Sequence, residues 1–189
     1  MFEFFRLSAT RRIDDFSALL LKRSARWLGA CWRITQDINM AEDAVQEALL
    51  KAWDRRAQFR GDAELDTWIH RIAVNCALDL LRQKRPISLQ SDQGLDAAEG
   101  NPALFADPLA ALSPTDHLQG EQLIQRLTQA LPGLTDLERL CFVLKHLEQY
   151  RLDEIALELQ CSVDRVKQAL FRGVRKLRIS LAAFGDSTP

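Results

Sequence analysis

The sequence predicts an all-α protein built as two small helical domains joined by a flexible acidic linker. Three observations carry that expectation. Apolar residues recur at spacings of three and four, and no convincing period-two strand pattern is found. Capping pairs, prolines and glycines punctuate those periodic stretches where helices start and stop. Charge is also unevenly distributed along the 189 residues. Residues 1–85 hold 15 Lys and Arg against 12 Asp and Glu, residues 86–120 hold none against 5, and residues 121–189 hold 10 against 9. The middle segment carries Pro86, Pro102, Pro108 and Pro114, while all four tryptophans precede it. Such a composition cannot form a core of its own, so it reads as a linker between domains at 1–85 and 121–189.

The first helix is expected over about residues 14–34, with Phe16, Leu19, Leu20, Trp27, Leu28 and Cys31 along one side. Asn39 and Glu42 form the expected capping box of a second helix. Its apolar stripe is Ala44, Val45, Ala48, Leu49, Ala52 and Trp53. The stretch 56–62 breaks the pattern. A third helix then carries Leu65, Trp68, Ile69, Ile72, Cys76, Leu80 and Leu81, and Pro86 ends it. After the linker a fourth helix covers about 121–131 and closes at Pro132 and Gly133. Thr135 and Glu138 make a second capping box, opening a helix to about Leu147. A short helix over 152–159, a tight turn and Ser162 as N-cap lead into a last helix over about 163–181.

Composition excludes several functions. A hydrophobic share of 47% with 27% charged residues suits a chain that buries a core. The longest apolar run, Leu140 to Leu144, is five residues, against the ~20 a membrane helix needs. The first seven residues contain Glu3 and Arg6, leaving no room for a signal-peptide core, so a cytoplasmic protein is expected. Cys31, Cys76, Cys141 and Cys161 share no short metal-ligand spacing, and His70, His117 and His146 complete no cluster. Reduced thiols on helix faces are expected, with no metal, disulfide or cofactor. No paired carboxylates, nucleophile–base set or phosphate-binding glycine loop can be assembled, so the chain is not expected to be an enzyme.

A short helix, a tight turn and a longer capped helix make a helix-turn-helix pattern. In the last helix Val166, Leu170, Val174 and Leu177 face one way and should pack inward. Asp164, Arg165, Gln168, Phe171, Arg172 and Arg175 should face out. Residues 165–178 hold six bases and no acid, a suitable charge for a helix entering a major groove. Arginine to guanine and glutamine to adenine are the usual base-edge contacts, and further bases would meet phosphates. Alone, the pattern also fits a solvated basic face on an ordinary helical hairpin.

Two separated regions add to this. The string DAVQEALLKAW at 43–53, the FRGD at 59–62 and the third helix from Thr67-Trp68 to Arg85 stand in one order. In that order they closely resemble region two of bacterial RNA polymerase sigma factors of the extracytoplasmic-function (ECF) subfamily. The string LPGLT at 131–135, Glu138-Arg139, LDEIA from Leu152, SVDRVK from Ser162 and RGVRKLR from Arg172 resemble their region four. The resemblance covers about residues 14–85 and 121–183.

It implies a promoter-specificity subunit that binds core RNA polymerase and directs promoter-specific transcription initiation. Asp43, Gln46, Glu47, Leu50 and Lys51 lie opposite the second helix's apolar stripe, where a plain exposed polar face is the alternative. The resemblance implies that they bind the clamp helices of the polymerase largest subunit. It implies that Phe59, Arg60, Asp62, Trp68, Arg71, Asn75, Arg82 and Arg85, with Lys84, read the minus-ten promoter element. There the family melts the duplex and captures an unstacked base, at a cost of about a few kcal/mol. Core packing is the alternative for Phe59 and Trp68. It implies that Ser162, Asp164, Arg165, Lys167, Gln168, Phe171, Arg172 and Arg175 read the upstream, minus-thirty-five element. The flap of the second-largest subunit, promoter DNA and an anti-sigma factor are the further partners implied. In the family the linker threads polymerase channels, so residues 86–120 are expected to be mobile in the free protein.

Four residues depart from the family pattern: Asp66 beside the Thr-Trp pair, Gln160 in the turn, and Arg165 and Ala169 in the last helix. Only a short tail follows Ser180, so no C-terminal regulatory domain is expected. A helix-turn-helix regulator acting without polymerase is the competing reading, and it would want a dimerisation helix that is not evident.

Overall fold

The computed structural model describes residues 22–59, 64–84 and 125–185, and every regular element among them is helical. The chain divides into two compact units, Met1–Lys84 and Arg85–Pro189. The expected linker at 86–120 and the first helix's residues 14–21 lie outside the described residues. No helix among the described residues is long and apolar enough to cross a membrane.

The N-terminal unit contains α1 (described over 22–35), α2 (Ile38–Asp54), a 3₁₀ turn (Arg56–Gln58) and α3 (Leu65–Lys84). On α1 the residues Trp27, Ala30, Cys31 and Ile34 are buried, a stripe at spacings of three, one and three. The helix stops at Gln36, whose φ of 54° is left-handed. The chain then turns into extended Asp37, whose carboxylate accepts from Met40 N–H at 3.1 Å. The cap of α2 therefore falls two residues before the expected Asn39–Glu42 box. A left-handed residue followed by an extended aspartate already satisfies the first turn, so Asn39 and Glu42 sit exposed within the helix.

The α2 core row is Met40, Ala41, Ala44, Val45, Ala48 and Ala52. Its many alanines let α3 approach closely and present Ile69, Ala73, Val74, Ala77, Leu78 and Leu81. Leu49, Trp53, Trp68, Ile72 and Leu80, expected in the stripes, are only half-buried. The small residues between them take the deepest positions.

The C-terminal unit contains α4 (described over 125–130), a 3₁₀ turn (Leu131–Gly133), α5 (Asp136–Phe142), a π-helical turn (Val143–Leu147), α6 (Leu152–Glu158) and α7 (Val163–Gly185). The Thr135–Glu138 capping box forms as expected: Glu138 N–H donates to Thr135 Oγ1 at 3.3 Å, and Thr135 N–H to Glu138 Oε2 at 3.0 Å. Glu138 is 2% exposed and also receives Lys176 Nζ at 2.7 Å, which ties α7 to α5. A Cβ at Gly173 would stand 3.4 Å from the Glu138 carbonyl, so α7 crosses close to the α5 backbone there. Ser162 caps α7 by accepting from Arg165 N–H at 3.2 Å.

The turn between α6 and α7 explains one departure. Cys161 N–H donates to Ala156 O at 3.0 Å and Gln160 N–H to Leu157 O at 3.2 Å, the paired bonds of a Schellman cap. Gln160 is its left-handed residue, with φ 51°. That conformation costs a side-chain-bearing residue about 1–2 kcal/mol, against about 0.5–1 kcal/mol for the extra unfolded-state freedom of glycine. Gln160→Gly is therefore expected to stabilise the unit by about 0.5–1 kcal/mol, seen as a later urea midpoint with an unchanged slope. An earlier midpoint would contradict this reading of the turn.

Candidate nucleic-acid interface

On α7 the buried side is Val166, Ala169, Leu170, Val174 and Leu177, with Gly173 among them. Ala169 is thus a core residue, which accounts for its small size. Asp164, Gln168 and Arg175 are exposed, and Arg165, Lys167, Phe171 and Arg172 are partly so. Gln168 and Arg172 stand one turn apart and share a face. Lys167 Nζ meets Asp164 at 3.3 Å, an exposed pair of little energetic weight. The pairing of Lys176 with buried Glu138 gives that one base of the run a packing role. Burial pushes the Cys161 thiol up, opposed by the nearby Arg165. Burial pushes the Cys141 thiol on α5 up to about 12. All four cysteines are free.

On α2 the residues Asp43, Gln46 and Leu50 are exposed, and Glu47 and Lys51 half-buried. Leu50 is a large apolar side chain 67% exposed beside these acids. Lys51 Nζ pairs with Glu47 Oε1 at 2.7 Å and lies 3.5 Å from Cys76 Sγ on α3. The hydrogen bond to Glu47 raises the Lys51 pKa, against the opposing effect of burial. Trp53 continues this face, and the Arg56 guanidinium stands 4.3 Å over its ring. Sequence periodicity placed Trp53 in the core; its ring is instead half-buried.

At the start of α3 the Phe59 and Trp68 rings meet at 5.3 Å, tilted by 43°. Both are half-buried, so they form an aromatic pair at the surface rather than part of the deep core. Thr67, Arg71 and Asn75 follow at spacings of four and are exposed. Arg82 pairs with Asp79, and Lys84 is exposed. Arg60, Asp62 and Arg85 lie outside the described residues.

Asp66, noted in the sequence only as a departure, has a structural role that sequence reading missed. Its carboxylate is 8% exposed and accepts from Arg26 Nη1 at 2.6 Å and Trp27 Nε1 at 2.9 Å, with Arg23 Nε at 3.5 Å. The departure noted beside Thr67-Trp68 is a buried anchor that ties α1 to the first turn of α3. The available signal was an indole on an otherwise apolar stripe, since a buried indole N–H needs an acceptor.

The comparisons with known proteins fit this geometry. Residues 20–87 match Sigma-70 region 2, and residues 124–177 match Sigma-70 region 4. The chain is 30% identical over 151 residues to the ECF RNA polymerase sigma factor SigW of Bacillus subtilis, covering 80% of each protein. The chain belongs to the ECF sigma factors. It is also 35% identical over 133 residues to the ECF sigma-E factor of Escherichia coli K12, covering 69% of this chain and 68% of that one. It is 31% identical over 183 residues to SigG of Mycobacterium tuberculosis H37Rv, covering 90% of this chain and 50% of SigG, so it spans about half the length of that relative. Among solved structures, the sigma factor RpoE of Bartonella quintana, in complex with the anti-sigma factor NepR, shares the fold with a TM-score of 0.50. That similarity is at 20% identity and covers 89% of this chain and 97% of RpoE. In this ECF sigma factor α1–α3 fall within region 2, and α5, α6 and the helix-turn-helix part of α7 within region 4.

Proposed function

We propose that this ECF sigma factor binds core RNA polymerase and directs it to specific promoters, as a regulatory subunit without catalysis of its own. The observation that carries the reading is the pair of surfaces on the two matched regions. Region 2 presents an acidic face with an exposed leucine, and region 4 presents a capped helix with a basic outer face. In this reading residues 1–85 bind polymerase and open the minus-ten element, 86–120 link, and 121–189 read the minus-thirty-five element. Asp43, Gln46, Glu47, Leu50 and Lys51 dock on the clamp helices of the largest subunit, with Leu50 as the apolar anchor, and region 4 meets the flap of the second-largest subunit. The Phe59–Trp68 pair stacks on bases unpaired at the minus-ten element, together with Arg60 and Asp62. Arg71, Asn75, Arg82 and Arg85 serve its strand. Ser162, Asp164, Arg165, Lys167, Gln168, Phe171, Arg172 and Arg175 face the upstream element. The work is done in the bacterial cytoplasm. The complex of RpoE with NepR supports control by an anti-sigma factor here too.

The docking assignment makes a direct prediction. Asp43→Lys with Glu47→Lys reverses the charge of the face without touching the buried row. Affinity for core polymerase is expected to fall about tenfold or more, equal to ~1.4 kcal/mol or more, with helicity unchanged. Unaltered affinity in a pull-down titration would overturn the assignment of α2.

A further inference from the structure

The described part of α1 carries Lys22, Arg23, Arg26 and Arg33 and no acid. Lys22, Arg26 and Arg33 recur at spacings of four and seven, which brings them to one side of the helix, away from the centre of the buried stripe. Gly29 falls on the same side. A Cβ there would stand 3.4 Å from an Arg33 Nη, so the missing side chain lets that guanidinium lie along the helix.

Arg23 and Arg26 converge on the one carboxylate of Asp66. Their side chains are 43% and 50% exposed, while Asp66 is 8% exposed. Each guanidinium is therefore held by the protein and still open to water. One buried carboxylate cannot neutralise two guanidiniums, so positive charge remains at the surface. A guanidinium fixed in this way needs little further ordering to meet a phosphate. Asp66 directly precedes Thr67 and Trp68, so the basic side of α1 is joined by a buried anchor to the start of the proposed minus-ten face.

We propose that α1 is a second DNA-contacting helix of the N-terminal unit, which takes the phosphate backbone next to the strand read by α3. It rests on the promoter-binding reading above and adds a surface that the region 2 motif residues do not include. The contact is electrostatic and sequence-independent, so α1 sets affinity and orientation while α3 supplies selectivity.

The test uses holoenzyme reconstituted from core polymerase and the full chain, on promoter fragments recovered by transcription start-site mapping. The variant is Lys22→Gln with Arg26→Gln and Arg33→Gln, since glutamine at Arg26 keeps a donor for Asp66. Lys22→Gln alone changes an exposed side chain and serves if the triple variant folds poorly. The triple variant is expected to lower the slope of log affinity against log salt by about two to three units, and the single variant by about one. A rise from about 50 to 200 mM salt would then weaken the triple variant roughly 16- to 64-fold less than the parent. The loss should be equal across promoter sequences. Unchanged slopes in both variants, with a parent that binds promoters, would overturn the α1 contact alone. Weakened binding to core polymerase with an unchanged DNA slope would also overturn it, and would assign α1 to a protein partner. A parent holoenzyme that binds no promoter would overturn the reading beneath it.

Discussion

Asp66→Ala is expected to destabilise the N-terminal unit by about 2–3 kcal/mol, the larger part coming from groups left without a partner. The Trp27 indole N–H is buried and would lose its acceptor, a loss of ~1–3 kcal/mol in itself. Arg23 and Arg26 are half-exposed, so water recovers most of their loss, and the full penalty of a broken buried ion pair does not apply. Asp66 also lies in the first turn of α3, where its charge favours the helix dipole. Asp66→Asn keeps an acceptor for Trp27 and removes the charge, so its cost should be about half as large. Chemical denaturation followed by circular dichroism measures both. A change below about 0.5 kcal/mol for the alanine variant, typical of a surface position, would show that the carboxylate anchors nothing.

Promoter discrimination should fall when the outer face of α7 is cut back. Gln168 and Arg172 share that face one turn apart, with Phe171 beside them. If each makes a bidentate base contact, its replacement by alanine costs ~1–3 kcal/mol of discrimination at one position of the upstream element. That is about a five- to 150-fold loss of preference over a mismatched promoter, with the preferences at other positions intact. If Arg172 meets only phosphate, binding weakens uniformly and the salt slope drops by about one unit. Competition between promoter variants in run-off transcription separates these outcomes. Equal use of all variants by the parent and both mutants would remove α7 from sequence recognition.

Much of the fold was legible because helical periodicity and capping chemistry are local. Thr135 with Glu138, and Ser162 before Val163, fix two helix starts from neighbouring residues alone. The cap of α2 was misplaced because Gln36 takes a left-handed conformation that nothing in its side chain announces. The aromatic residues were harder. Trp27, Trp53 and Trp68 all fit an apolar stripe, yet Trp27 is deep, Trp53 lies beneath an arginine and Trp68 pairs with Phe59 at the surface. Spacing gives a side but not a depth, and alanines decide depth by letting helices approach. The outward faces of α2 and α7 followed directly from their inward stripes. Asp66 was not legible as an anchor, because its partners lie about forty residues earlier in the chain.

Reconstituted transcription tests the central claim most directly. Core polymerase would be combined with the chain on a library of genomic fragments, and RNA start sites mapped. The account predicts a discrete set of starts that appears only when the chain is present, preceded by two shared sequence elements at fixed spacing. Those starts should disappear with Asp43→Lys and Glu47→Lys. Starts that are the same with and without the chain would contradict the account.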